Sequence, residues 1–240
     1  MKLIVKIATR SRPEKFKKIL EKYIEYMSGE NQVRFVVTCD SDDETMNNEE
    51  MKKWFDEIKQ SVDLVYHYGN SKTKVEACNA NLEEEDGDVL LLISDDMVPT
   101  RKGYDAIIAR GFSEVFPNYD GAIKFNDGLR NDALMTLPCI GWNLYKAIGH
   151  CYHPDYTSLY CDNEQTRLCA MLGKLVVSDI CIAVHAWIPG NHDDADDLHK
   201  RNESFYEKDA AVFERRMKDN FDIDQVKERL DAQGTISNKT

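Results

Sequence analysis

No Cys-x-x-Cys pair occurs in this 240-residue chain, although it holds seven cysteines. An odd, scattered set of thiols argues against a disulfide framework or a zinc ribbon, and for reduced cysteines in a cytoplasmic compartment. No apolar run approaches the ~20 residues that a bilayer helix needs. The opening Met1-Lys2 leads into Leu3-Ile4-Val5, too short an apolar stretch for a signal peptide. Positive charge is in deficit: 31 Lys and Arg stand against 43 Asp and Glu, a net charge of −12. That excludes a general nucleic-acid or membrane-surface binder but leaves room for a local basic pocket. No Gly/Ser linker, repeat or low-complexity tract divides the chain, which reads as one domain with an irregular second half.

What the chain does have is alternation. Short branched runs, Leu3 to Ala8, Val33 to Thr38, Leu64 to Tyr68, Val89 to Ile93 and Gly121 to Phe125, read as strands. Helical stripes separate them: Phe16, Ile19, Leu20, Tyr23, Ile24 and Met27; Met51, Trp54, Phe55 and Ile58; Val75, Cys78 and Leu82; Tyr104, Ile107, Ile108 and Val115. The expected fold is α/β, a mostly parallel sheet covered by helices on both faces. Right-handed crossovers then bring the strand C-termini to one edge. Thr9 to Arg12, Asp40 to Asp43, Gly69 to Lys72 and Ser94 to Asp96 converge there, at the edge where open α/β sheets bind ligands. Adjacent acids such as Asp95 and Asp96 repel unless a cation neutralises them. They read either as a divalent-metal site for a phosphate-bearing substrate or as a polar turn closing a strand. After Asn126 the pattern loosens. Leu137 to Asn143 is aromatic and turn-rich, Gln165 to Leu172 is helical, and Leu175 to Val184 is a strand with a break near Asp179. His185 to Leu198 is a polar loop, Phe205, Val212, Phe213 and Met217 stripe a helix, and Gly234 to Thr240 is a frayed tail.

These segments, in this order, resemble the nucleotide-sugar glycosyltransferases of the A-type (GT-A) fold, especially the inverting family 2-like group. Thr9-Arg10-Ser11-Arg12-Pro13 looks like the opening nucleotide-binding turn, and Asp40 stands where such enzymes hold base or ribose. Ser94-Asp95-Asp96 looks like the Asp-x-Asp motif with its first acid replaced by Ser94. The resemblance makes Asp96 a metal ligand and Asp95 a ribose or metal partner. Cys161-Asp162-Asn163-Glu164 looks like the acidic motif that supplies the base, where the family usually has Glu-Asp. His185 follows a hydrophobic strand, as a metal-binding histidine does in many members. The implied organisation is a Rossmann-like catalytic domain over 1–222, with a nucleotide-binding half at 1–126 and an acceptor half at 127–222. A C-terminal helix and tail occupy 223–240.

The implied activity is transfer of a sugar from a nucleoside-diphosphate donor, UDP-sugar first, to a carbohydrate or other hydroxyl acceptor, with inversion. Its chemistry needs Mn²⁺ or Mg²⁺ on the diphosphate; Asp96 and His185 suit that ion, with His192 competing for the second place. It needs a base, Asp162 or else Glu164, although acids in a first helical turn also serve as caps. It needs donor grip from Thr9, Arg10, Arg12, Asp40, Asp95 and Lys72, whereas Lys74 reads as solvated surface. Trp142, His153, Tyr156 and Tyr160 are candidates for an acceptor platform. Asp127-Gly128 and Asp193-Asp194 are candidates for sugar hydroxyls, and Gly190 to Asp197 for a lid. Two alternatives stay open: a metal-dependent nucleotidyltransferase, disfavoured because Thr9 to Pro13 holds no glycine, and a non-catalytic nucleotide- or carbohydrate-binding module on the same fold.

Overall fold

The fold is described from a computed structural model covering residues 1–129, 132–185 and 197–237, with backbone only at 199 and 234–237. The chain begins β1 (Lys2–Thr9), α1 (Pro13–Glu25), β2 (Gln32–Asp40), α2 (Glu49–Ile58), β3 (Asp63–Gly69), α3 (Lys74–Asn79) and β4 (Val89–Ile93). Next come β5 (Met97–Pro99), α4 (Tyr104–Val115), β6 (Ala122–Asn126), β7 (Cys139–Gly141) and α5 (Trp142–Ile148). It closes with α6 (Cys161–Met171), β8 (Leu175–Cys181), β9 (Ala183–His185), α7 (Asp197–Glu203), α8 (Tyr206–Lys218), a 3₁₀ turn (Asn220–Asp222) and α9 (Ile223–Ser237).

Seven strands form one sheet in the order β3-β2-β1-β4-β7-β6-β8. The pairings β1/β2, β1/β4, β2/β3 and β6/β8 are parallel, and β7 runs antiparallel to both of its neighbours. β1 lies inside the sheet, and Leu3, Ile4, Val5 and Ile7 are wholly buried, as a strand covered on both faces requires. Pro13 opens α1, where its fixed φ suits the first turn. Phe16, Ile19, Leu20 and Tyr23 then bury one stripe against the sheet. The register Thr9↔Cys39 and Asp40↔Gly69 aligns the C-terminal ends of β1, β2 and β3. Ile7↔Ile93 brings β4 to the same edge.

The second half is more regular than its sequence suggests. Leu137 to Asn143, expected as turns, holds β7 and the start of α5. Gly141 permits that join, because a Cβ there would lie 2.2 Å from the Tyr119 carbonyl oxygen. The break expected near Asp179 is a bulge: pairing moves from Lys124↔Val177 to Asn126↔Cys181. After it, β9 leaves the main sheet and pairs with β5, setting Met97 opposite His185. The region expected as a frayed tail instead continues α9 to Ser237. Ile223 and Val226 of α9 pack with Leu144, Ala147 and Ile148 of α5.

Candidate functional site

A cleft of about 720 Å³, open to solvent, lies along the C-terminal edge of β1, β2 and β4. Its first wall is the β1–α1 turn. Thr9 Oγ1 donates to Asp95 Oδ2 (3.1 Å), and Arg12 Nη1 donates to Asp95 Oδ1 (2.8 Å). Arg10 reaches the other way, to Asp40 Oδ2 (2.8 Å) and to both oxygens of Asp42 (2.6 and 3.1 Å). These bonds raise the Arg10 pKa, and Arg10 in turn lowers that of Asp42. Burial raises the Asp95 pKa even with Arg12 beside it. Asp40 is buried, and its Oδ1 has no hydrogen-bond partner among the described residues. An orphaned acceptor of this kind is costly unless a ligand meets it.

The second wall is the β3–α3 loop. Thr73 caps α3 by accepting from Glu76 N–H (3.0 Å), and the Glu76 carboxylate accepts from Lys72 N–H (2.7 Å). These two bonds pin the loop that carries Lys72 and Lys74 into the cleft lining. Lys74 is solvent-exposed, as expected, and at the same time borders the cleft. Crowding by protein depresses its pKa, but Cys161, Cys78, Asp162 and Asp96 together outweigh that and raise it. The third wall was not foreseen: Thr157 and, from α7 and the residue just before α8, Leu198, Arg201, Asn202 and Phe205. Arg201 Nη2 donates to the Lys72 carbonyl (3.3 Å) and ties this wall to the second. The Arg201 segment reads as a charged helix surface, so no pattern in its sequence marked it. In all, the lining includes five cationic side chains (Arg10, Arg12, Lys72, Lys74, Arg201) and two anionic ones (Asp40, Asp95).

Asp96 and His185 lie beside the cleft lining. Asp96 follows Asp95 in the turn that Met97 N–H closes onto the Ser94 carbonyl (3.1 Å). The β5/β9 pairing carries His185 to it, with Nε2 3.4 Å from Asp96 Oδ2. Ser94 Oγ donates to Asp96 Oδ1, so the serine that replaces an acid orients the remaining one.

The expected acids of α6 part company. Asp162 is half-buried in the first turn and accepts from Asn163 N–H (2.9 Å). The helix is capped not by Asp162 or Asn163 but at Tyr160. Glu164 is 3% exposed. It accepts from Arg216 Nη2 (2.7 Å), Arg216 Nε (3.2 Å) and the Tyr156 hydroxyl (2.7 Å). These buried donors hold Glu164 against Arg216 and out of water, an environment that suits a structural ion pair. The aromatic platform is corrected: Trp142 (4% exposed) and Tyr156 (1% exposed) are core. His192, Asp193-Asp194 and most of the expected lid lie outside the described residues.

No protein-family model matches the sequence, and no curated protein matches it. Solved structures do. The mannosyltransferase PcManGT from Pyrobaculum calidifontis, in complex with GDP-Man and Mn²⁺, superposes with a TM-score of 0.62 at 15% identity, over 79% of this chain and 58% of that one. S. aureus TarS 1–349 in complex with UDP-GlcNAc gives a TM-score of 0.61 at 15% identity, over 82% and 62%. The same TarS fragment alone gives 0.60 at 14%, over 77% and 60%. The chain has the A-type glycosyltransferase fold. It spans about three-fifths of the length of these structures. Within the A-type fold, the Asp96–His185 pair offers one carboxylate and one imidazole. No third carboxylate, imidazole or thiol joins them as a metal-holding group among the described residues. That donor set fits a divalent ion that takes its remaining ligands from a bound diphosphate. No helix among the described residues is long and apolar enough to cross a membrane.

Proposed function

We propose that this chain is a metal-dependent glycosyltransferase that takes a sugar from a UDP-type donor and passes it to an acceptor hydroxyl with inversion. The observation that carries the reading is the cationic cleft at the strand C-termini of a chain whose net charge is −12. Arg10 and Arg12 are neutralised within the protein by Asp40, Asp42 and Asp95, whereas Lys72, Lys74 and Arg201 complete the positive lining. A diphosphate is the ligand class such a lining selects. The PcManGT and TarS structures, which hold GDP-Man with Mn²⁺ and UDP-GlcNAc, support the same ligand class on this fold.

In this reading Asp40 Oδ1 accepts a hydrogen bond from the nucleoside base, while Arg10 holds the carboxylate in place. Asp95 acts inside the protein: it accepts from Thr9 and fixes Arg12 as a donor to the nucleotide. Asp96 and His185 hold Mn²⁺ or Mg²⁺, whose chemistry is to neutralise charge on the departing nucleoside diphosphate. Lys72, Lys74 and Arg201 bind and orient the phosphates. Asp162 takes the proton of the acceptor hydroxyl as that oxygen attacks the sugar's C1. The thermal shift of the protein with UDP, UDP-GlcNAc, GDP and GDP-Man, each with and without Mn²⁺, tests the proposal. A metal-dependent rise for a uridine nucleotide supports it. No rise with any of the four, at millimolar ligand, rejects it.

A further inference from the structure

Next to Asp162 the surface carries aromatic rings that the donor site does not use. Tyr160, which precedes α6, has φ 61° and ψ −8°. A bulky residue in this left-handed region is strained and persists only where its surroundings over-determine it. Here they do. Asp209 of α8, fully buried, accepts from the backbone N–H groups of Thr157 (2.9 Å), Ser158 (2.8 Å) and Leu159 (2.8 Å). Lys208 Nζ donates to Thr157 Oγ1 (2.7 Å), and Val75 N–H donates to the Thr157 carbonyl (3.4 Å). The loop that enters α6 is thus clamped to α8 and to the cleft wall together.

The clamp sets the Tyr160 ring 5.4 Å from Tyr206 at 60° and 5.6 Å from Phe213 at 34°. Tyr206 is 58% exposed, the most open large hydrophobic side chain among the described residues. Its neighbour Phe205 lines the donor cleft. Glu203 and Glu207 flank this surface and are exposed, and Glu214 acts on Tyr160. An exposed aromatic ring, backed by a second ring and bordered by Glu203 and Glu207 as well as Lys208, suits the C–H face of a pyranose.

We infer that Tyr206, backed by Tyr160, is the acceptor subsite and takes a pyranose ring on its face, so that the acceptor is a carbohydrate. This rests on the glycosyltransferase reading above. The test is saturation-transfer-difference NMR on the full chain with UDP and Mn²⁺ present. Probes are methyl glycosides of glucose, N-acetylglucosamine and mannose with their tetrasaccharides, and glycerol and a serine peptide are the comparators. Expected is binding of at least one sugar and of neither comparator, weakened about tenfold by Tyr206→Ala and restored by Tyr206→Phe, which keeps the ring. Equal sugar binding by wild type and Tyr206→Ala overturns the inference. So does an equal loss in the Ala and Phe variants, preference for a comparator, or no sugar binding by a protein that still binds UDP. A wild type that binds no nucleotide removes the glycosyltransferase reading, and the acceptor subsite with it.

Discussion

Replacing Glu164 by glutamine should cost stability and spare chemistry, the reverse of what a catalytic base would show. In the folded protein Glu164 meets Arg216 through two nitrogens and Tyr156 through its hydroxyl, all but out of water. Removing one member of a buried ion pair costs about 3–5 kcal/mol, because the other charge is left behind. Two features pull the expected figure toward and below the low end. Glutamine keeps the shape and one acceptor oxygen. Arg216 also keeps Asp222, whose carboxylate it holds through Nη1. About 2–3 kcal/mol is expected, and at about 2–4 °C per kcal/mol for a chain of this size the melting temperature falls about 4–12 °C. Glu164→Ala, which also strands the Tyr156 hydroxyl, should fall further. The assay is thermal unfolding by circular dichroism beside sugar transfer at 20 °C, where both proteins are folded. Glu164→Gln melting with the wild type while losing transfer a hundredfold or more would refute the structural assignment and return Glu164 to the active site.

Asp162→Asn is expected to bind donor with wild-type affinity and to lose transfer by about 10²–10⁴-fold, the usual worth of a general base; parallel loss of donor binding in calorimetry would make Asp162 structural. Asp96→Ala and His185→Ala should each abolish the Mn²⁺-dependent part of the thermal shift with UDP. A persistent metal effect in both variants would place the ion elsewhere. The fourth expectation concerns pH. Burial, then His153, Arg216 and Arg229, lower the His150 pKa from 6.5 to about 4. The unfolded chain therefore binds this proton first, and the stability this residue supports is intact above pH 6.5 and is lost as pH falls toward 4. The loss amounts to about 3 kcal/mol. His150→Gln should flatten the stability profile between those values in urea titrations, and an unchanged slope would show that His150 is not the group responsible.

The first half of the sheet was legible because its signals are local. Each apolar run of five to nine residues is a strand, each stripe of period 3.6 is a helix, and the handedness of crossovers does the rest. Knowing only that Val33 to Thr38 and Val89 to Ile93 are parallel neighbours of β1 is enough to bring Asp40 and Asp95 to the same edge as Arg10 and Arg12. The pairing of Asp96 with His185 was legible by resemblance, and the β5/β9 ladder supplies its physical cause. The burial of Glu164 was not legible, because a first-turn acid beside Asp162 gives no hint of which helix face it occupies. Only the arrival of Arg216 from α8 decides that.

The third wall of the cleft shows where sequence patterns stop informing. Asp209 sits in the polar run Glu207-Lys208-Asp209, where periodicity marks a solvated helix face, yet it is fully buried and accepts three backbone N–H bonds. Its neighbour Lys208 reaches the same loop. Hydrophobic pattern predicts which face of a helix is apolar; it cannot predict a polar face turned inward to satisfy a loop's exposed amides, because that loop is distant in sequence and has no period of its own. Lys6 makes the same point inside β1: it is fully buried, with its ammonium on Thr38, and burial lowers its pKa to about 8. Asp209 and Lys208 hold an irregular stretch of backbone in place, and irregular backbone is what a binding site on a regular sheet must be built from.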